Sequence, residues 1–333
     1  MTDVLDDLVM TLTGQALELT TDGPTVVDTA SLLERLRNQL RQLPVAFEDF
    51  QRLDRGLATD AASNRDGERL RAAMKQLRTH DLLVPPSKSG PLRLDALDEE
   101  AQLAYRLLAR LDHAVPAPWT LIGGLMVLSL CIEFRGPHIR PTGDADVAVG
   151  VFTHRHALRA FTAVLAQEGF KDVTPASADS ESTSYRWRRD GLLIDVAVPP
   201  EVNEQRTSPT TINNRVGLEL PATQQAIRRT EAVDVEVAGE RVGRLRRPNL
   251  LGAIVIKSTA AIVDSRDPER HHEDIVSLAD IIAFEGLQST YRDQVSRKDA
   301  RRLRHAVLAI PIRQWRRARD PEAARAAVEY LYS

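Results

Sequence analysis

A single cysteine, Cys131, stands in a chain of 333 residues, so no internal disulfide can form and sulfur alone cannot build a zinc site. Aromatic residues are scarce as well, at 5%. Long apolar runs are missing: the longest, Trp119 to Ile132, is broken by Gly123 and Gly124 and falls short of the roughly 20 residues that cross a bilayer. The opening residues MTDVLDDLVM lack the basic start, apolar centre and small-residue cleavage site of a secretory signal. These absences argue against a disulfide scaffold and a membrane-spanning chain, and the expected location is the cytoplasm with no membrane partner.

What the chain does contain is an apolar share of 43%, enough to build the core of one large or two ordinary domains. Its formal net charge of −3 conceals an uneven distribution. From Arg292 to Arg319 the chain is dense in arginine, whereas Asp95, Asp98, Glu99 and Glu100 form an acidic stretch, so local charge says more about partners than the total does.

Residues 1–115 read as a mainly helical N-terminal domain, with apolar positions at helical spacing in Ser31 to Phe50 and in Leu97 to Leu111. Within it, Gly67 to Ala96 carries a helix, strand, turn, strand order. That order is shared by winged-helix modules and by domains that never touch DNA. Pro116 and Pro118 disfavour helix, and the pattern then changes to short β-rich runs alternating with helices. Strands are expected near Trp119 to Ile122, Asp144 to Val149, Ser184 to Arg188 and Leu192 to Val198. Helices are expected from Gly124 to Phe134 and from His154 to Glu168. Past Pro248 the chain reads as helical again, over Leu250 to Val263, Glu273 to Glu285 and the basic segments beyond, with breaks at Pro311 and Pro321. The expectation is an α+β fold: a mixed-sheet core over 116–247 and a basic, helical region over 248–333 that completes the site.

The informative segment is Ile139 to Val149. An extended chain sends alternate side chains to one face, which places Thr142, Asp144 and Asp146 together. A second strand, Leu192 to Val198, carries one acid, Asp195, in an otherwise apolar run, where an uncompensated charge costs several kcal/mol. If the two strands pair, three carboxylates converge, and oxygen-only ligands favour Mg²⁺ or Mn²⁺ over zinc. Upstream, Gly123 and Gly124 open an apolar helix whose first N–H groups can approach a phosphate. A lone Asp-x-Asp is more often a solvated loop or a cap, and a lone Gly-Gly is more often a turn; their order along the chain gives them weight.

Gly123-Gly124, then Arg140-x-Thr142-x-Asp144-x-Asp146, then the strand acid Asp195 together resemble the polymerase-β type of nucleotidyltransferase, most of all its AbiEii-like type IV toxin branch. The resemblance spans about Trp119 to Ile282 and extends to Lys257, Arg266 and Asp274. It implies a nucleotidyltransferase core in which Asp144, Asp146 and Asp195 bind Mg²⁺ or Mn²⁺. Gly123, Gly124, Arg140, Thr142, Lys257, Arg266 and Asp274 would contact the nucleotide. The implied reaction moves a nucleoside monophosphate from an NTP to an acceptor hydroxyl. In the toxin branch the acceptor is a tRNA 3′ end and a separate antitoxin is the partner.

The chain departs from the branch at Gly124, where a serine is common, and at His271-His272-Glu273, where a lysine is usual. The spacer around Pro268 is also longer, and residues 1–115 have no counterpart. Plainer readings make Lys257 a surface residue at a helix edge, His271 and His272 solvated, and Asp274 the partner of an arginine on its own helix. Arg301, Arg302, Arg304, Arg313, Arg316 and Arg317, with Trp315 available to stack on an unpaired base, suit RNA contact; the alternative is a solvated face. Two other functions fit the same residues: transfer to a small aminoglycoside-type acceptor, and nucleotide sensing without catalysis.

Overall fold

The structure is a computed structural model that describes residues 90–95, 97–115, 118–137, 143–151, 156–175, 183–200, 209–264 and 266–333. All of them lie in one compact unit, Ser87–Ser333. The winged-helix reading of Gly67 to Ala96 falls almost wholly outside the described residues. The fold is α+β with mixed sheets, as the sequence patterns imply. No helix among the described residues is long and apolar enough to cross a membrane.

The elements run β1 (Leu92–Arg93), α1 (Glu99–Ala114), β2 (Trp119–Ile122), α2 (Gly123–Glu133), β3 (Ala145–Val149), α3 (Ala157–Gln167), β4 (Lys171–Asp172), β5 (Thr183–Ser184), β6 (Arg186–Arg189), β7 (Leu192–Val198), β8 (Val216–Glu219) and α4 (Thr223–Arg228). They continue with β9 (Thr230–Val237), β10 (Glu240–Pro248), α5 (Leu250–Val263), α6 (Pro268–Phe284), α7 (Gln288–Arg292), α8 (Arg297–Ala309), α9 (Ile312–Trp315) and α10 (Pro321–Tyr332).

The larger sheet has seven strands, with β2, β3, β7, β6 and β4 in line, β8 beside the end of β7, and β5 paired to β8. Its centre is the parallel pair β3 and β7, flanked by antiparallel β2 and β6. Parallel strands covered on both faces read as nearly continuous apolar runs, and β7, Leu-Leu-Ile-Asp-Val-Ala-Val, is such a run with one acid in it. The turn between β6 and β7 is Asp190-Gly191, both at positive φ, 47° and 88°. An Asp-Gly pair is the usual two-residue hairpin turn, and it sets Arg189 opposite Leu192 and Arg186 opposite Asp195.

A second sheet joins β1, β9 and β10. The hairpin β9–β10 turns at Ala238-Gly239 and bulges near Gly243, where the backbone lies against Ala109 of α1. Helix α1 thus packs on β10, and β1 pairs in parallel with β9. The compact unit accordingly begins ahead of the Pro116 boundary expected from the sequence. The physical reason is burial: Tyr105, Leu107, Leu108 and Leu111 share a core with Trp119 and Val235.

Helix α2 is buried from Leu125 to Cys131, and α5 from Leu250 to Thr259. A helix apolar on all sides belongs in a core: α2 packs against β2 and β3, and α5 packs against α2, α6, α8 and β10. Asn249 caps α5 by accepting from the Gly252 N–H at 3.0 Å. Helix α6 starts at Pro268, five residues before the expected Glu273, because Asp267 caps it and proline suits its first turn. On β10, fully buried Arg247 pairs with Glu133 of α2 and, at 2.7 Å, with its cross-strand neighbour Glu231. Burial lowers its pKa to about 9, which leaves it charged at neutral pH.

Candidate functional site

The register of the central pair sets the geometry. Asp146 of β3 stands directly opposite Asp195 of β7, with Ala145 opposite Ile194 and Val147 opposite Val196. Neighbouring strands lie about 5 Å apart, so the two acids share one face of the sheet. Asp144 lies one alternate position before Asp146, just ahead of β3, and is exposed. Arg140 and Thr142, expected in the same segment, lie outside the described residues.

Across the other edge of β3, Ile122 of β2 pairs with Asp146, and the chain turns at Gly123 directly into α2. Gly123 has φ +73°, and a Cβ there would sit 1.8 Å from Oδ2 of Asp146. Only glycine permits both that backbone and that approach. The N-terminus of α2 has no side-chain cap and no acid in its first turn, so its N–H groups face the Asp146 side of the sheet without a competing side chain. Gly123→Ala is expected to cost about 1 kcal/mol or more in stability and to displace the Asp146 carboxylate; thermal melting and Mn²⁺ titration check both.

Burial pushes the Asp146 carboxyl up to about 6; the charge of Lys257 opposes this, Asp195 and Asp144 add to it by repulsion, and Arg270 opposes it again. Two cations from α5 and α6 therefore act on the acid cluster. Lys257 is 4% exposed and its Nζ lies 2.7 Å from Asp274, itself 2% exposed. The surface reading of Lys257 is thereby corrected, since α5 is buried on the side that carries it. Asp274 likewise faces Lys257 of the neighbouring helix rather than an arginine on its own.

Arg266 is 89% exposed and bonds Asp264 at 3.2 Å. The α6 cation that acts on Asp146 is Arg270, which the sequence reading did not single out; it sits on the first turn of α6 and also binds Asp264 at 2.8 Å. His271 and His272 are buried, not solvated, because α6 begins earlier than expected and turns them inward. Burial and the nearby Lys257 lower the pKa of His271, and burial lowers that of His272. Both shifts favour the neutral imidazole.

Asp195 is compensated by an arginine. The Arg186 guanidinium donates from Nε to Oδ1 at 2.8 Å and from Nη2 to Oδ2 at 2.6 Å, a two-point pair that raises the arginine's pKa. The signal for Arg186 was present in the chain: counting back from the Asp190-Gly191 turn puts it opposite Asp195.

No protein-family model matches this chain, and neither does any curated protein.

The site residues suit a hard divalent cation in chemistry. The donors are carboxylate oxygens, no described side chain hydrogen-bonds the Asp146 carboxylate, and Gly123 leaves that carboxylate room. Among the described residues, however, no group of three or more His, Cys, Asp or Glu side chains stands ready to hold a metal. Both oxygens of Asp195 accept a hydrogen bond from Arg186. The fit is thus in donor type and placement, with one donor engaged elsewhere.

A cation and a proton compete for Asp146. Below about 6 the carboxyl is protonated, so divalent-ion affinity is expected to fall with pH, by up to about tenfold per pH unit. Mn²⁺ titrations between pH 5 and 8 test this; a flat profile would remove Asp146 from the site.

Stacking on RNA through Trp315 is ruled out by its position: it is 3% exposed, wedged in the helical core. Several of the arginines around it also have acid partners, two of them distant in sequence and one on the same helix. Arg313 pairs with Glu269 and Arg317 with Glu273, both at 2.6 Å, while Arg302 lies 3.6 Å from Asp299.

Proposed function

We propose that this chain is a metal-dependent nucleotidyltransferase that moves a nucleoside monophosphate from an NTP to an acceptor hydroxyl. The observation that carries this reading is the side-by-side register of Asp146 and Asp195 on parallel strands, with Gly123 against Asp146. In this scheme Asp144, Asp146 and Asp195 hold one or two Mg²⁺ ions. Bound there, the metal supplies charge neutralisation for the triphosphate and Lewis acidity at the phosphorus.

The chain's own groups do the rest. The start of α2 offers N–H donors and a favourable dipole to phosphate oxygens. Lys257, fixed by Asp274, places a point charge toward the acids without being free to wander. Arg270 adds a second positive charge from the first turn of α6. Gly124, Arg140, Thr142 and Arg266 complete the proposed nucleotide contacts.

The proposed acceptor is a tRNA 3′ end, with toxin activity held by a separate antitoxin. It rests on the likeness of the motif order and on exposed Arg301, Arg304 and Arg316, which no described acid pairs. Incubation with each labelled NTP, Mg²⁺ and total tRNA is the test. Label on tRNA is expected, and label only on a small hydroxylated acceptor would move the assignment to aminoglycoside-type transfer. Nucleotide binding with no transfer to any acceptor would favour sensing, a reading that the Arg186–Asp195 pair keeps in view.

A further inference from the structure

We propose that Arg186 is a competing counter-ion built into the metal site, so that a divalent cation reaches Asp195 only by displacing the guanidinium. This inference rests on the metal-site reading above. Three observations support it. Arg186 bonds both oxygens of Asp195, at 2.8 and 2.6 Å, so a cation approaching either oxygen meets the guanidinium's positive charge. The pair is fixed by strand register rather than by side-chain chance, because Arg186 and Asp195 are cross-strand partners in a hairpin with a tight Asp-Gly turn. Both side chains still reach solvent, at 35% and 21% exposure, so the guanidinium has somewhere to go.

The charges agree with a competition. Asp144, Asp146 and Asp195 carry three negative charges against one on Arg186, while Lys257 is paired with Asp274 and Arg270 with Asp264. The remaining two negative charges match one divalent ion. When the ion takes Asp195, the guanidinium is set free near exposed Asp144, whose charge also acts on it. A planar guanidinium suits two phosphate oxygens as it suits two carboxylate oxygens. Arg186 thereby links metal arrival to nucleotide capture: the ion and the nucleotide each favour the swung-out arginine, so each strengthens binding of the other.

The test uses Mn²⁺ alone, followed by its EPR signal, on the wild-type chain and on Arg186→Gln, Arg186→Lys and Asp146→Asn, with thermal melting to verify each fold. A two-point charged pair is worth enough that Arg186→Gln is expected to bind Mn²⁺ about tenfold more tightly than wild type. Arg186→Lys, with a point charge in place of a fork, should lie between them. Asp146→Asn should lose the ion. In a second titration with ATP, Mn²⁺ is expected to tighten ATP binding to wild type and to do so less in Arg186→Gln. If Arg186→Gln binds Mn²⁺ no better than wild type while Asp146→Asn loses it, the competition is wrong and the metal site stands. If Asp146→Asn binds Mn²⁺ as wild type does, the metal-site reading falls, and this inference with it.

Discussion

Asp146→Asn is expected to raise the stability of the protein measured in EDTA while abolishing divalent-ion binding and transfer. Asp146 takes its proton near pH 6 in the fold and near 3.8 when unconstrained. Between those values the folded chain binds more protons than the unfolded chain, so stability falls as pH rises from about 4 to 6 and stays reduced above that. The cause is a carboxylate forced to ionise in a half-buried place beside two others. Two pKa units correspond to a little under 3 kcal/mol, discounted to about 2 because the side chain retains some solvent. Asparagine keeps the shape and removes the charge. For a unit of this size about 2 kcal/mol is a rise of about 4 °C in Tm at pH 7.5, shrinking toward zero near pH 4. A lower Tm for the variant at pH 7.5 would mean that Asp146 has a stabilising partner instead of an unmet charge. Such a trade between stability and an ionised acid is what a cation-binding site requires.

The second large effect concerns Lys257 and Asp274. Removing one member of a buried ion pair leaves the other charged in the core, which costs about 3–5 kcal/mol. Lys257→Met and Asp274→Leu are each expected to lower stability by that order in denaturant melts. The double variant is expected to recover most of the loss, since two apolar side chains of similar volume fill the same space between α5 and α6. Activity should separate from stability here. The double variant folds but lacks the cation beside Asp146, so nucleotide binding stays impaired and the Asp146 pKa rises further. If the double variant binds nucleotide normally, Lys257 serves only to hold the two helices together.

Much of this site could be read along the chain. The alternation in Gly143 to Val149 places Asp144 and Asp146 on one face, and the apolar run around Asp195 marks a central strand; the observed strands Ala145–Val149 and Leu192–Val198 follow those patterns. Strand Trp119–Ile122 and helix Leu250–Val263 also end where the patterns end. The hairpin Thr230–Pro248 was not anticipated, although Glu231 to Val237 alternates and Gly239 supplies a turn. Sequence reasoning assigned the charge of Asp195 to a metal because an isolated strand acid needs a cation of some kind. Arg186 lies nine residues away through a turn, and a search for metal ligands passes over a basic residue.

By itself the sequence determined the local matters: which positions alternate, where glycine lets a strand turn into a helix, and which hairpin register an Asp-Gly turn imposes. These depend on neighbours a few residues apart and on backbone sterics. The tertiary structure alone decided that β3 lies parallel to β7, that Lys257 is buried against Asp274, that His271 and Trp315 point inward, and that the exposed basic face is smaller than the arginine count suggests. Parallel pairing and buried charge are settled by the packing of segments distant along the chain, where burial and Coulomb energy depend on separation in space and not in sequence.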